Sequence, residues 1–327
     1  MPTCQRILSF LILVLLLLAG CEEQPQRVSR SQLLMGTLAE IVVIAPPAVA
    51  GPAIDAAFAE MRRIENLMSP LIEQSDVWWL SQGAGPFEVS AEAAEVLRLG
   101  LEMASLSGGA FDLTLGKLKQ LWGVETATPR IPDDEEIETA LQGTGPDALR
   151  LEGQTVFKQR PELQVDLGGI AKGYALDRAV AVLRQAGIRH ASVNGGGDLR
   201  LLGNRGERPW RIGIQHPRRH GELLATLDLA DVAVVTSGDY ERFFERDGVR
   251  YHHVFDPQSG RPARWCQSVT VVTDEAMPAD ALATAAFVLG PEHGMELLQR
   301  FEAEGILVTA SGEVLVTPGL QAKVRWP

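Results

Sequence analysis

Residues Asp166–Asp198 read DLGGIAKGYALDRAVAVLRQAGIRHASVNGGGD, and this run specifies the centre of the fold. It predicts the end of a strand, a glycine turn, a helix over Ala171–Gln185 and a second strand over Ala191–Asn194, because Ala, Leu and Val recur at helical spacing between the glycines. The N-terminus of a helix carries unpaired N–H groups and a partial positive charge, and Lys172 adds a full charge. The run therefore predicts a turn that holds an anionic group such as a phosphate.

The glycine turn also has a second interpretation. Gly168, Gly169 and Gly173 fit neither G-x-G-x-x-G nor G-x-x-x-x-G-K-[ST], the two common nucleotide-binding patterns. From this segment alone, glycines that serve only packing and a solvated Lys172 explain the pattern equally well.

The first residues are typical of a secretory signal. One cation, Arg6, precedes an apolar run that ends in Leu-Ala-Gly-Cys. A cysteine after these small residues is the lipidation site of bacterial lipoproteins, here Cys21, with a plain signal peptide or an uncleaved anchor as the alternative. We expect a signal peptide over 1–20, a polar tether over 21–32, one folded domain over 33–320 and a short tail over 321–327.

Composition limits the possible classes of protein. Of the three cysteines, only Cys266 remains once Cys4 is removed and Cys21 is acylated, so no disulfide within the chain is possible. A hydrophobic fraction of 46% is ample for a large core that needs no disulfides. The formal net charge of −12 leaves no basic face for nucleic acid, which we therefore exclude as a partner.

Periodicity outlines the rest of the domain. It predicts a first strand over Leu38–Ile44, amphipathic helices over Pro52–Met68 and Ala91–Leu106, and a helix over Pro278–Leu289 that follows an apolar strand. Further predicted strands cover Trp210–Gln215, Leu223–Leu229, Val232–Thr236, Arg250–Phe255 and Ser268–Thr273. This alternation of strands and helices indicates a mixed α/β or α+β protein.

Eight short motifs follow one another along the chain. They are MGT at Met35–Thr37, GAFDLTLGKL at Gly109–Leu118, LWG at Leu121–Gly123, DLGGIAKGYALDRA, NGGGD, TSGDY, HHVFDPQSGRP and ADALATAAFVLG. Their order resembles the ApbE family of FAD:protein FMN transferases over Leu33–Pro318. The resemblance implies an α+β fold with the mixed α/β, T-fold-related architecture of that family, in one compact catalytic unit of two intimately joined lobes.

The resemblance also implies an activity. Such an enzyme splits FAD at its pyrophosphate, attaches the FMN half to a threonine or serine hydroxyl of a target flavoprotein, such as a redox-pump subunit, and releases AMP. It implies Mg²⁺ as cofactor and FAD as substrate. With the lipid anchor at Cys21, the protein would sit on the periplasmic side of a membrane, the inner membrane being favoured over the outer.

Site residues are carried over motif by motif. The resemblance places Mg²⁺ on Gly169, Asp280 and Thr284, and catalysis on His253 and Asp280. It places FAD contacts at Met35, Ala110, Phe111, Asp112, Asp166, Lys172 and Phe255. One departure is that Ser69-Pro70-Leu71 stands where the family has a tyrosine against the flavin, so Leu71 offers no ring for stacking.

The residue types fit this chemistry by themselves. Hard oxygen ligands suit Mg²⁺, and a cation beside a pyrophosphate neutralises charge on the leaving oxygen. A hydroxyl nucleophile needs a base, for which His253 and Asp280 are the candidates. Each of these residues also has an interpretation without a catalytic role. Asp280 and Thr284 could be an exposed pair on a helix, and His253 could form a surface doublet with His252.

Two other activities also stay open. Water in place of the protein hydroxyl would make the chain a metal-dependent FAD pyrophosphatase. Without any catalytic activity, the chain would be a flavin-binding lipoprotein. The presence of Lys172, Asp280 and Thr284 favours an enzyme.

Overall fold

A computed structural model describes residues 24–327 of the chain. The predicted signal peptide and Cys21 lie outside the described residues. Within the described part, no helix combines the length and the apolar character that crossing a membrane would require.

Seventeen strands, numbered in chain order, are described. They are β1 Gln26–Leu34, β2 Thr37–Ala45, β3 Phe87–Glu88, β4 Leu149–Glu152, β5 Thr155–Lys158, β6 Ala191–Gly195, β7 Asp198–Leu202, β8 Trp210–Gln215, β9 Leu223–Leu229, β10 Ala233–Gly238, β11 Phe243–Arg246, β12 Val249–His252, β13 Phe255–Asp256, β14 Arg261–Pro262, β15 Cys266–Thr273, β16 Glu304–Thr309 and β17 Val314–Val316. The α-helices are α1 Pro47–Met68, α2 Asp76–Leu80, α3 Ala91–Leu106, α4 Gly116–Trp122, α5 Asp134–Leu141, α6 Ala171–Gln185, α7 Ala276–Arg300 and α8 Pro318–Gln321.

An antiparallel sheet of eight strands organises the molecule, in the order β1-β2-β6-β7-β10-β15-β16-β17. Its central strands are apolar on both faces. Ile41 and Val43 belong to the main core, whereas Val42 between them belongs to a second core on the opposite face. Because side chains of a strand alternate between faces, the sheet is covered on both sides.

The two covers differ. Helices α1, α6 and α7 pack on one face, which we call the helical face. The hairpin of β8 and β9, together with α8, covers the other, which we call the hairpin face, with Trp210, Ile212 and Leu227 in its core. A smaller lobe beside the sheet has its own apolar cluster, in which Trp122 of α4 packs against Tyr251 and Phe255.

Local signals account for several helices. Helices α3 and α6 begin and end at the predicted residues, and Asp133 and Glu136 form a capping box at the start of α5. Strands β4 and β5 pair as an antiparallel hairpin. Helix α7 starts two residues earlier than predicted and continues to Arg300 across a break at Gly290, which has φ +82°.

Three local predictions are wrong. Most of the predicted tether is strand, because every residue of β1 from Gln26 pairs with β2. No strand precedes the glycine turn, since Gln164 and Asp166 make only single backbone hydrogen bonds to Gly116 and Leu113. The predicted strand Arg250–Phe255 is divided between β12 and β13, which belong to separate two-stranded ribbons.

Candidate active site

Asp280 lies where α6 and α7 meet, and it is only 5% exposed. Its Oδ2 accepts a hydrogen bond of 3.0 Å from the N–H of Gly173 in the first turn of α6. Burial, reinforced by the negative charge of Asp198 and opposed by Lys172, raises the pKa of Asp280 to about 7. The interpretation of Asp280 as an exposed helix residue is therefore wrong.

Thr284 follows Asp280 by one helical turn and lies beside the glycine turn. Its Oγ1 is 3.3 Å from the hydroxyl of Ser237 at the end of β10. A Cβ atom on Gly169 would lie 3.3 Å from Thr284 Oγ1 and 3.1 Å from the ring of Phe111. Glycine at position 169 therefore lets the backbone of the turn approach Thr284 closely.

Lys172 points to the same place from α6 and forms an ion pair with Asp198, the first residue of β7. Burial alone would lower the pKa of Lys172, but the carboxylates of Asp198 and Asp280 raise it, so the lysine is charged. Asp198 is almost fully buried and also accepts the N–H of Thr236 at 2.9 Å. The alternative of a solvated Lys172 is wrong.

A second charged pair joins Asp166 to Lys119 of α4. Asp166 also accepts the N–H of Gly168 at 2.9 Å, which shapes the glycine turn. Although burial favours the neutral acid, the Lys119 ammonium lowers the pKa of Asp166, so this carboxyl group is ionised. The pair thus lies directly at the glycine turn.

His253 is neutral in this environment. Burial, and then the positive charges of Lys119 and Arg242, lower its pKa to about 3. Its Nδ1 lies 3.3 Å from the carbonyl oxygen of Arg242, an arrangement in which Nδ1–H donates and Nε2 keeps a free lone pair. His252 is instead buried, with Nε2 2.7 Å from the carbonyl of Ala263, so the two histidines are not a surface doublet.

Three predicted FAD contacts border this region. Met35 has φ +53° in the turn between β1 and β2 and donates its N–H to Glu65 at 2.7 Å. Phe111 is buried against Gly169. Asp112 Oδ1 accepts bonds from Thr114, but its Oδ2 is buried without a partner, and burial raises the pKa of Asp112. An unpaired buried acceptor of this kind is available to a ligand that brings a donor.

The two remaining predicted FAD contacts are Phe255 and Ala110. The ring of Phe255 packs on Trp122 in the smaller lobe, so its side chain is a core residue. Ala110 is buried at the start of the loop after α3. Leu71 is 91% exposed, and Trp78 and Trp79 form an edge-to-face pair on α2.

Sequence reasoning missed three charged residues. Lys119, Asp198 and Arg242 assemble around Asp166, Lys172 and His253 only in the folded chain. Arg242 also pairs with Glu125, and its guanidinium is 3.6 Å from where a Cβ on Gly36 would lie. Asp198 and Lys119 belong to, or directly follow, quoted motifs, so the motifs themselves were the signal that could have found them.

The oxygen atoms beside Asp280 fit a magnesium ion better than a transition metal. Within residues 24–327 no three His, Cys, Asp or Glu side chains are arranged to hold a metal. The residues that the family resemblance assigns to the metal offer one carboxylate, the hydroxyl of Thr284 and the backbone oxygen of Gly169. Mg²⁺ accepts such a set because it keeps several waters and binds one or two carboxylates together with substrate phosphates.

Oxygen donors, two lysine–aspartate ion pairs and a neutral histidine are thus present in this region of the fold. The comparisons with known proteins identify the family. Residues 35–308 match the ApbE family, and the chain belongs to that family. The predicted family and fold class are confirmed, as is the prediction that the chain is an enzyme.

Similar proteins cover almost the whole chain. The FAD:protein FMN transferase of Vibrio cholerae is 37% identical over 91% of this chain and 92% of its own length. That of Treponema pallidum is 33% identical over 94% and 91%. Among solved structures, the ApbE protein of Thermotoga maritima is similar with a TM-score of 0.83 and 36% identity, over 92% of this chain and all of its own.

Proposed function

We propose that the protein transfers the FMN moiety of FAD to a threonine or serine hydroxyl of a target protein, with Mg²⁺ as cofactor and AMP as the other product. The observation that carries the proposal is the buried carboxylate of Asp280, one helical turn before Thr284, whose hydroxyl lies beside the turn at Gly169. The relatives named FAD:protein FMN transferase supply the reaction type.

Gly169, Asp280 and Thr284 would hold the metal ion. When bound there, Mg²⁺ supplies a positive charge that neutralises the charge developing on the pyrophosphate. Lys172 lies next to these ligands, and its ammonium group offers a second charge to the same phosphates. Asp198 keeps that lysine in place, so the cation is already oriented before FAD arrives.

His253 is the general base in this proposal. The Arg242 carbonyl accepts Nδ1–H, which directs the Nε2 lone pair away from the backbone and towards an incoming hydroxyl. A base with a pKa of about 3 is weak. Bound phosphate groups add negative charge near the ring, which raises the pKa of His253 and strengthens the base when FAD is present.

Asp112, Asp166, Met35, Ala110 and Phe111 would contact FAD. The unpaired Oδ2 of Asp112 suits a hydroxyl or amino group of the nucleotide. Phe255 can contact FAD only through its backbone, since its ring packs against Trp122. Leu71 provides apolar surface without stacking at the flavin end.

The test incubates purified protein with FAD, Mg²⁺ and a candidate flavoprotein subunit. We expect the mass of the acceptor to increase by one FMN residue and AMP to appear in equal amount, both disappearing with EDTA. Release of free FMN and AMP at the same rate with and without acceptor would instead favour the pyrophosphatase. Binding of FAD without any product would favour the non-catalytic flavin-binding lipoprotein.

The same proposal includes a lipid anchor on Cys21 and a position on the periplasmic side of the membrane, with the inner membrane favoured. It rests on the Leu-Ala-Gly-Cys ending of the apolar run. Cells fed a labelled fatty acid should label the protein, and Cys21→Ser should abolish the label. Cys266→Ser is the matched control, because Cys266 is buried in the core and should not affect labelling.

A further inference from the structure

Helices α6 and α7 cap each other through two aspartates. Asp177, one turn after Gly173 in α6, accepts the N–H of Ala276 through Oδ1 at 2.9 Å and the N–H of Met277 through Oδ2 at 2.8 Å. Asp280, one turn after Ala276 in α7, accepts the N–H of Gly173 at 3.0 Å. The first turn of each helix is thus held by a carboxylate of the other.

The N-cap residue of α7 does not perform this task. Glu275 stands at the N-cap position and makes no capping hydrogen bond with its side chain. Asp177 is itself held by the buried Arg200 of β7, whose Nε donates to Oδ1 at 3.0 Å and whose Nη1 donates to the carbonyl of Leu201 at 2.7 Å. The start of α7 is therefore tied to the central sheet through one carboxylate.

The contact between α6 and α7 leaves the two helices little room to move relative to each other. A Cβ atom on Gly173 would lie 2.2 Å from the carbonyl oxygen of Ala276, so the backbones touch at this point. Any shift of the first turn of α7 along the helix axis, or rotation about it, moves Asp280 and Thr284 together. Both residues lie on the same face of α7, one and two turns after Ala276.

We propose that Asp177 is a positioning residue that sets the affinity of the site for Mg²⁺. It acts by fixing where Asp280 and Thr284 stand relative to Gly169. The inference rests on the proposed function, since it requires a metal ion at Asp280. Partners that orient metal ligands typically change metal affinity by about 10–100-fold when they are replaced.

An ordinary helix cap would behave differently. Removing one costs about 1 kcal/mol of stability and has no effect on a distant ligand. Asp133 offers the matched comparison, because it caps α5 by accepting the N–H of Glu136 at 2.9 Å. Asp133→Ala should lower the melting temperature and leave metal binding unchanged.

The experiment titrates full-length wild type, Asp177→Asn, Asp177→Ala and Asp133→Ala with Mn²⁺, reading the free ion by electron paramagnetic resonance. Each variant is first shown to be folded by circular dichroism at the temperature used. Asp177→Ala should weaken Mn²⁺ binding by about 10–100-fold. Asp177→Asn should fall between Asp177→Ala and wild type, since its amide oxygen can still accept one of the two N–H groups.

Kinetics add a second measurement. The KM for Mg²⁺ should rise in the Asp177 variants, while kcat at saturating Mg²⁺ stays close to that of wild type. Should Asp177→Ala fail to fold, the Asn variant alone decides. Wild-type Mn²⁺ affinity in the folded Asp177 variants would overturn the inference and leave the proposed function standing. No Mn²⁺ binding by wild type itself would overturn the proposed metal site and, with it, the inference.

Discussion

The two faces of the eight-stranded sheet bury different chemistry. On the helical face, Asp198 and Arg200 of β7 pair with Lys172 and Asp177 of α6. On the hairpin face, the core is apolar around Trp210, and the polar pair buried against the sheet is neutral, with Thr236 Oγ1 2.8 Å from Thr270 Oγ1. Strand β7 therefore contributes charged groups to the helical face, whereas β10 and β15 contribute these uncharged groups to the hairpin face.

We relate this difference to two separate roles, ligand binding for the helical face and stability for the hairpin face. Burying a charge is unfavourable unless it is paired, and even a paired one contributes little to stability compared with apolar packing. Under the proposed function, the charges on the helical face serve to position ligands. The apolar hairpin face is explained by the stability of the sheet that carries them.

The largest expected effect is that of Asp280→Asn on the helical face. Asparagine can still accept the Gly173 N–H, so the helices should stay in place, but the charge that attracts Mg²⁺ is removed. AMP release should fall by about 10³-fold or more, because a metal ion contributes several kcal/mol of charge stabilisation. Chromatography of AMP measures this.

Asp228→Asn is the control, since Asp228 lies on β9 and pairs with Arg211 and Arg325 on the outer surface. Its AMP release should match wild type. If Asp280→Asn released AMP at the wild-type rate, the proposed difference in role between the two faces would be wrong.

The next effect concerns His253→Ala. Transfer should slow by about 10²–10⁴-fold, the usual contribution of a general base, while the Kd for FAD stays unchanged. Single-turnover transfer and fluorescence titration with FAD measure the two quantities. His293→Ala, on the exposed surface of α7, should change neither. An equal loss of FAD binding and transfer would make His253 a ligand contact instead of a base.

Trp210→Ala tests the hairpin face. Trp210 is 6% exposed, and its Nε1 donates to the carbonyl of Gly203 at 3.1 Å. The free energy of unfolding should fall by about 3–5 kcal/mol, as for other buried aromatic residues, while kcat per folded molecule is kept. Urea denaturation measures the loss. Trp326→Ala, at a residue that is 52% exposed, should be nearly neutral, and a large loss of kcat in Trp210→Ala would show that the faces are coupled.

The smallest effect is a pH dependence of stability. With a pKa of about 3 in the folded protein, His253 stays neutral where the histidine of the unfolded chain, with a pKa near 6.5, takes up a proton. Its contribution is present above the unfolded pKa and is lost as the pH falls from there towards 3. Between pH 7.5 and 5.5 the loss should be about 1 kcal/mol.

Urea midpoints of metal-free wild type and His253→Gln measure this loss. The difference in unfolding free energy between the two proteins should shrink as the pH falls, since glutamine does not titrate. A difference that does not change with pH would place His253 in contact with water and not among the charges of the helical face.

Much of the architecture was predictable because its signals are local. The apolar spacing of Ala91–Leu106 and Ala171–Gln185 predicts α3 and α6 to the residue, and the alternation over Trp210–Gln215 predicts β8. The eight ordered motifs identify the family, and they include Asp280, Thr284 and Gly169. These signals depend on the chemistry of neighbouring residues, which is fully present in the sequence.

The sequence by itself thus determined the family, most of the helices and strands, and the residue types available for chemistry. Tertiary structure alone decided which of them are buried and which are paired. The polar segment at Gln26 becomes β1 only because β2 offers its backbone, and Asp280 is buried only because α6 packs on α7. Burial and charge pairing depend on groups that folding brings together from distant parts of the chain. Local sequence patterns do not show which distant groups will meet.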